Sequence, residues 1–121
     1  MTTLIAIIST GKGTWSEVSR LMDQAEWDHI VLVTYPYGKE HFSHPKNFSM
    51  VVTDFSTPMA LLCGELTGQI GKLVPGGLAT EVALNLSSGS GKEHMALIGA
   101  VLKNGLALRL VVPGEKDIQE V

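Results

Sequence analysis

One short turn in the second half of the chain combines the residue types that bind phosphate. It follows a short apolar run, leads into a second apolar segment, and reads Ser87, Ser88, Gly89, Ser90, Gly91 and Lys92. A glycine-rich turn between a strand and a helix offers backbone N–H groups, a positive helix end and hydroxyl donors in one concavity. The Lys92 ammonium would add a charge-assisted contact. We therefore predict that this turn binds an anionic, phosphate-bearing ligand.

A second turn with similar chemistry follows the first apolar run of the chain. Its residues are Ser9, Thr10, Gly11, Lys12 and Gly13. In a doubly wound sheet of the common order 3-2-1-4-5, the first and fourth strands are neighbours, and the loops at their carboxyl ends lie side by side. The sequence therefore predicts one pocket between the two turns. The structural alternative is that the glycines only permit tight turns and that both lysines are solvated.

The elements that must position these turns alternate between strand and helix. Short runs rich in isoleucine, valine and leucine predict strands at 4–8, 30–34, 50–55, 81–86 and 107–112, with a sixth at 118–121. Helical spacing predicts helices at 14–25, from 59 to about 66 or 70, and at 93–104, whereas 35–49 shows no helical period. We therefore predict a single α/β domain over 1–121, a Rossmann-like three-layer α/β/α fold with a mainly parallel five- or six-stranded sheet.

Composition limits the class of ligand. The net charge of −3 is unfavourable for a protein that binds long DNA or RNA, because such binding depends on many lysine and arginine contacts to phosphates. No apolar stretch is long enough to span a bilayer and no secretory signal pattern is present, so a cytoplasmic protein is expected. A single cysteine, Cys63, excludes an intramolecular disulfide. A small anionic ligand held by one or two lysines remains compatible with these limits.

Several common motifs fail on inspection. A phosphate-binding P-loop needs a glycine and a hydroxyl residue where this chain has Leu86 and Glu93, and Ser16 stands where a dinucleotide fingerprint needs its third glycine. His41 and His44 have no further histidine or cysteine at a metal-partner spacing, so we predict no metal and no cofactor. A serine hydrolase is also excluded, because its Gly-x-Ser-x-Gly motif is absent.

The strand and turn that end at Lys92 resemble those of the CARF domain, the CRISPR-associated Rossmann-like fold. The resemblance rests on five positions, which are Asn85, Ser87, Gly89, Ser90 and Lys92. The order of strands and helices also agrees over nearly the whole chain. This turn reads Ser-Gly-Ser-Gly-Lys where the family usually has Gly-Gly-Thr-Lys, so the position of the Lys92 side chain is the point that the structure must decide.

The resemblance implies a homodimer that binds a cyclic oligoadenylate across its two-fold axis, and a ring nuclease that cleaves this messenger in antiviral signalling. The cleavage would need no metal: a ribose 2′-hydroxyl attacks the adjacent phosphodiester while the protein positions it and stabilises charge. The implied catalytic residues are Lys92, Ser9, Thr10 and His94. The implied ligand-binding residues are Gly11, Lys12, Gly13, Ser87, Ser88, Gly89, Ser90 and Gly91. His94 could equally point outward from its helix, and a non-catalytic sensor that passes the signal to a partner is the alternative.

Overall fold

Six strands form one sheet at the centre of the molecule. The computed structural model describes residues 2–10, 13–76 and 80–121. Its strands are β1 (Thr2–Ile8), β2 (His29–Thr34), β3 (Ser49–Val52), β4 (Glu81–Asn85), β5 (Ala107–Pro113) and β6 (Ile118–Glu120). They lie in the order β3-β2-β1-β4-β5-β6, and among these described strands only β6 pairs with its neighbour in the antiparallel direction. The predicted neighbourhood of the first and fourth strands is confirmed.

Helices cover both faces of the sheet. They are α1 (Gly13–Gln24), α2 (Pro36–His41), α3 (Met59–Leu73) and α4 (Gly91–Lys103). Alternate residues of β1 supply two cores: Ile5 and Ile7 pack with α3 and α4, whereas Leu4, Ala6 and Ile8 pack with α1. A central parallel strand buried on both faces needs apolar residues at every position. The predicted three-layer α/β/α architecture is confirmed.

The connection after β2 contains a short helix that its sequence did not indicate. The expectation of no regular structure throughout 35–49 was wrong, because α2 occupies Pro36–His41. A Cβ atom on Gly38 would overlap the hydroxyl of Thr34 and press on Ile8, so the helix can lie this close to the strand ends only with glycine there. Tertiary packing at one glycine, rather than helical periodicity, therefore determines this element.

Helix α3 is longer than predicted and packs closely on α4. It continues to Leu73 despite three glycines, because Leu62, Leu66 and Ile70 are fully buried against the sheet. The Nδ2 atom of Asn104 donates to the Thr67 carbonyl at 3.0 Å and ties the end of α4 to α3. None of the helices in the described part of the chain is long and apolar enough to cross a membrane.

Candidate functional site

The turns after β1 and β4 are joined by a hydrogen bond. The backbone N–H of Ser9 donates to the Ser88 hydroxyl oxygen at 2.9 Å, and both residues are buried. The two turns thus meet at the carboxyl edge of the sheet, as their sequence pattern predicted. Gly11 and Lys12 lie outside the described residues, and Gly13 begins α1 at a position where an added Cβ atom would meet nothing within 4 Å.

Ser9 has a positioning role at this edge. Its carbonyl accepts a hydrogen bond from the Trp15 indole N–H at 2.7 Å, and its N–H is held by Ser88. The neighbouring Ile8 carbonyl accepts from the Thr34 hydroxyl at 2.7 Å. With the backbone fixed in this way, Thr10 is the exposed hydroxyl residue at the end of β1.

The first half of the second turn is stabilised by its own side chains. Asn85 is buried, donates through Nδ2 to the Val111 carbonyl at 2.9 Å and to the Ser87 hydroxyl at 3.1 Å, and accepts from the Ser87 N–H. Gly89 has a φ of +91°, a conformation that side chains other than glycine rarely adopt. Ser87 and Ser88 therefore shape the turn, and the exposed residues available to a ligand are Gly89, Ser90 and Gly91.

Ser90 and Glu93 form a capping box at the start of α4. The Ser90 hydroxyl is bonded to a Glu93 carboxylate oxygen, which also accepts from the Ser90 N–H at 3.2 Å. This arrangement starts α4 at Gly91, two residues before the predicted start. The signal was present in the sequence, since Ser90 and Glu93 have the Ser-x-x-Glu spacing of a capping box. The Ser90 hydroxyl is thus engaged in capping, and Glu93 adds a negative charge beside the turn.

The Lys92 side chain crosses towards the end of β3. Its Nζ atom donates to the Phe55 carbonyl at 2.9 Å, in a partly buried contact between α4 and the segment before α3. The ammonium is therefore positioned by the fold rather than solvated freely. His94, two residues further along the helix, approaches Ser88 with Nε2 at 2.9 Å from its carbonyl, so Nε2 carries the proton and donates.

A cavity of about 670 Å³ opens at this carboxyl edge. It is lined by the ends of β1, β2 and β3 and by the first turn of α4, with residues Ser9, Thr10, Tyr35, Pro36, Val52, Thr53, Asp54, Phe55, Ser56 and Glu93. Two predicted site residues, Ser9 and Thr10, belong to this lining. Ser87 instead lines a smaller cavity of about 220 Å³ between β4 and β5. The main cavity thus extends over β2 and β3 rather than over the turn after β4.

From the sequence, Tyr35 was an aromatic that could either stack on a base or hold its loop in place, whereas Asp54 and Phe55 after β3 were missed as site residues. The Tyr35 and Phe55 rings lie with centroids 6.0 Å apart and an interplanar angle of 39°, and Asp54 stands beside them. A signal for all three existed, because parallel strands end at the same edge of a sheet and these residues directly follow two of the predicted strands or end one of them.

Asp54 is held in its ionised form. One of its oxygens, Oδ1, accepts from the Ser56 hydroxyl at 2.6 Å and from the Ser56 N–H at 2.9 Å. These two hydrogen bonds lower the pKa of the Asp54 carboxyl below its ordinary value of 3.8, and the positive charge of Lys92 contributes in the same direction. The cavity therefore carries an acceptor-only carboxylate near neutral pH, beside the Lys92 ammonium.

The two histidines once considered as metal ligands have structural partners. His41 stacks on Tyr37 with ring centroids 3.9 Å apart and donates through Nδ1 to the Tyr37 carbonyl. His44 donates through Nε2 to Asp23 and accepts through Nδ1 from the Lys46 N–H. Within 2–10, 13–76 and 80–121, no three histidine, cysteine or carboxylate side chains lie together as a possible metal site.

The fold is similar to that of a solved structure, Enterococcus italicus Csm6 bound to cyclic hexa-2′-fluoro-hexa-dAMP. The superposition has a TM-score of 0.54 at 17% sequence identity. The chain has a CARF-like fold. The match covers 92% of this chain and 32% of the Csm6 chain, so this CARF-like chain spans about a third of that protein's length. No protein-family model and no curated protein sequence matches.

Proposed function

We propose that this protein binds a cyclic oligoadenylate at the carboxyl edge of its sheet, shares it between two copies of the chain, and cleaves it as a ring nuclease. The observation that carries the proposal is the position of the Lys92 ammonium, which is fixed at the Phe55 carbonyl beside the 670 Å³ cavity. The similar Csm6 structure contains a cyclic nucleotide of the same chemical class. Its fold likeness supports the choice of ligand.

The cavity offers complementary groups for a nucleotide. Lys92 supplies a positive charge, Thr10 supplies an exposed hydroxyl, and the positive N-terminal end of α4 reaches the cavity at Glu93. Tyr35 and Phe55 supply aromatic surface for a base. The negative charges of Asp54 and Glu93 at the same cavity oppose an anion, so a bound phosphate must lie on the Lys92 side of the site.

Exposed apolar side chains on α3 and α4 support a homodimer. Met95 and Leu102 are 66% and 59% exposed and lie two helical turns apart on the outer face of α4. Leu61, near the start of the adjacent α3, is 64% exposed. Met95 and Leu61 both lie close to the carboxyl edge of the sheet, where the cavity opens. A two-fold contact through this face would bring two copies of the site together and suits a ring built of repeated units.

Cleavage would follow the chemistry of an internal attack. The 2′-oxygen of one ribose attacks the adjacent phosphorus, the 5′-oxygen of the next nucleotide leaves with a proton, and the products end in a 2′,3′-cyclic phosphate and a 5′-hydroxyl. Lys92 would stabilise the charge that develops on the phosphate oxygens. Ser9 and Ser88 would hold the loop geometry through their hydrogen bond. Since His94 Nε2 already donates to a carbonyl, only its Nδ1 atom could accept the 2′-hydroxyl proton.

A non-catalytic sensor is the second candidate. It is favoured by the capping role of Ser90 and by the hydrogen bond from His94 to a carbonyl, which leave few free catalytic groups.

Incubation of the full chain with cyclic tetra-adenylate or hexa-adenylate in EDTA, followed by chromatography, distinguishes the ring nuclease from the sensor. Linear products bearing a 2′,3′-cyclic phosphate, lost in Lys92→Ala and retained in Lys103→Ala, would establish the ring nuclease. Binding without product would favour the sensor and overturn the ring nuclease. No binding of either ring would overturn both functions.

A further inference from the structure

Two aromatic rings form one wall of the cavity. Tyr35 follows β2 and Phe55 lies three residues after the end of β3, and the two rings contact each other at 6.0 Å between centroids. Tyr35 is also stacked on Tyr37, with an interplanar angle of 28°. Both Tyr35 and Phe55 line the cavity, so the pair presents apolar aromatic surface to it. A flat heteroaromatic ring can stack on such a surface whatever its identity, so this wall alone does not select a base.

Asp54 supplies a carboxylate that could distinguish one base from another. Its Oδ1 atom accepts both hydrogen bonds from Ser56, which fixes the orientation of the carboxylate. Its Oδ2 atom accepts no hydrogen bond from the described residues, and the side chain is exposed at the cavity beside Phe55. An ionised carboxylate only accepts hydrogen bonds, so this oxygen attracts an N–H donor and repels a carbonyl oxygen.

Groups of opposite charge, suited to a phosphate and to a base edge, lie near each other at this cavity. Lys92 contacts the Phe55 carbonyl, and Asp54 is the preceding residue in the chain. The ammonium suited to a phosphate thus contacts Phe55, and the carboxylate suited to a base edge belongs to the adjacent residue Asp54, with the aromatic wall next to them. The opposite charges of Lys92 and Asp54 make the two parts of the site distinguishable to a ligand.

We propose that Asp54 is the base-selecting residue of this cavity: its Oδ2 atom accepts a hydrogen bond from the exocyclic amine of a 6-aminopurine stacked on Tyr35 and Phe55. This inference rests on the proposed nucleotide function and adds to it a residue that determines specificity. A 6-oxopurine, such as hypoxanthine, presents a carbonyl oxygen at the same position. The carboxylate repels that oxygen, and the site therefore discriminates between two rings of almost identical shape.

The test compares cyclic tetra-adenylate and hexa-adenylate with the corresponding inosine rings, by calorimetric titration of the full chain. We expect the adenine ring to bind at least about tenfold more tightly than the inosine ring, which corresponds to loss of one hydrogen bond and gain of one repulsion. In Asp54→Asn the amide can donate to the 6-oxo group, so the preference should vanish or reverse. The exposed Asp117→Asn serves as the matched control and should keep the wild-type preference.

The outcomes separate this inference from the function on which it rests. Equal binding of adenine and inosine rings by the wild-type chain, or an unchanged preference in Asp54→Asn, would overturn the role of Asp54 and leave the proposed ligand class intact. Failure of the wild-type chain to bind any adenine ring would overturn the ligand class itself. Circular dichroism of Asp54→Asn, whose exposed side chain supports no core packing, verifies that the variant is folded.

Discussion

The backbone N–H of Ser9 is 2.9 Å from the hydroxyl oxygen of Ser88, and this one hydrogen bond connects loops that are 79 residues apart in sequence. It joins the carboxyl ends of β1 and β4, where the strand order turns from one direction to the other. In open α/β sheets this crevice is where ligands bind. The bond is buried, so neither partner can replace the other with water.

Replacement of Ser88 by alanine should therefore destabilise the protein. The Ser9 N–H would be left buried without its acceptor, which costs about 1–3 kcal/mol in the free energy of unfolding. Chemical denaturation of Ser88→Ala beside Ser43→Ala, an exposed serine in the loop after α2, measures the difference. Equal stabilities of the two variants would show that the Ser9–Ser88 bond does not hold the loops together.

Replacement of Glu93 by glutamine should strengthen binding of an anionic ligand. Glutamine keeps the capping box, because its side-chain oxygen accepts the same hydrogen bonds from Ser90, but it removes a negative charge from the cavity lining. We expect a several-fold lower Kd for a cyclic oligoadenylate at low salt, with the gain reduced at high salt.

Calorimetric titration at two ionic strengths provides this measurement for Glu93→Gln. Glu120→Gln, on the exposed edge strand β6, removes the same charge far from the cavity and is the control. Weaker binding by Glu93→Gln than by Glu120→Gln would contradict the assignment of the anion to this cavity.

Replacement of Ser56 by alanine should raise the pKa of Asp54 towards 3.8, because the strongest of its stabilising hydrogen bonds is lost while the backbone bond remains. NMR titration of the side-chain carboxyl carbons measures this pKa directly. The lowered folded-state pKa of Asp54 stabilises the protein above pH 3.8, and this contribution is lost as the pH falls through the folded-state pKa. A pKa for Asp54 that is the same in wild type and Ser56→Ala would refute the hydrogen bond as its cause.

A charge on the outer face of α4 should disrupt the dimer. Met95→Lys and Leu102→Lys place an ammonium on the apolar surface that the two copies would bury, and an unpaired buried charge is strongly unfavourable. Light scattering after size exclusion should give a dimer for the wild type and a monomer for both variants. Val121→Lys, 80% exposed at the end of the chain, should stay dimeric. A wild-type monomer in the presence of ligand would rule out the shared site.

The hydrophobic pattern predicted most of the fold, because short continuous apolar runs and helical spacing both report burial. The continuous apolar run at β1 predicted a central strand, and the structure confirms it because residues Leu4 to Ile8 are all fully buried. Helix α2 escaped prediction because its position depends on the absence of a side chain at Gly38, a contact between residues that no periodicity records. The length of α3 was underestimated because packing of Leu62, Leu66 and Ile70 outweighs the low helix propensity of its glycines.

The candidate site was predictable in part. The chemistry of the two turns and their adjacency followed from residue types and strand order. The hydrogen-bond partners of the side chains could not be predicted in this way. The Ser88 hydroxyl accepts from the Ser9 N–H, and the Ser90 hydroxyl is bonded to Glu93. Lys92 donates to a carbonyl 37 residues away in sequence. Hydrogen bonds between distant segments are set by three-dimensional packing, which a single sequence does not encode in its local pattern.

The central claim is that Lys92 binds the phosphate of a cyclic oligoadenylate shared between two chains. Calorimetric titration of cyclic tetra-adenylate and hexa-adenylate into wild type, Lys92→Ala and Lys103→Ala tests it most directly. The account predicts one ring bound per two chains, with Kd raised about tenfold to a hundredfold in Lys92→Ala by the loss of a charge-assisted hydrogen bond, and unchanged in Lys103→Ala. Equal affinity in wild type and Lys92→Ala, or no binding of either ring by the wild type, would contradict it.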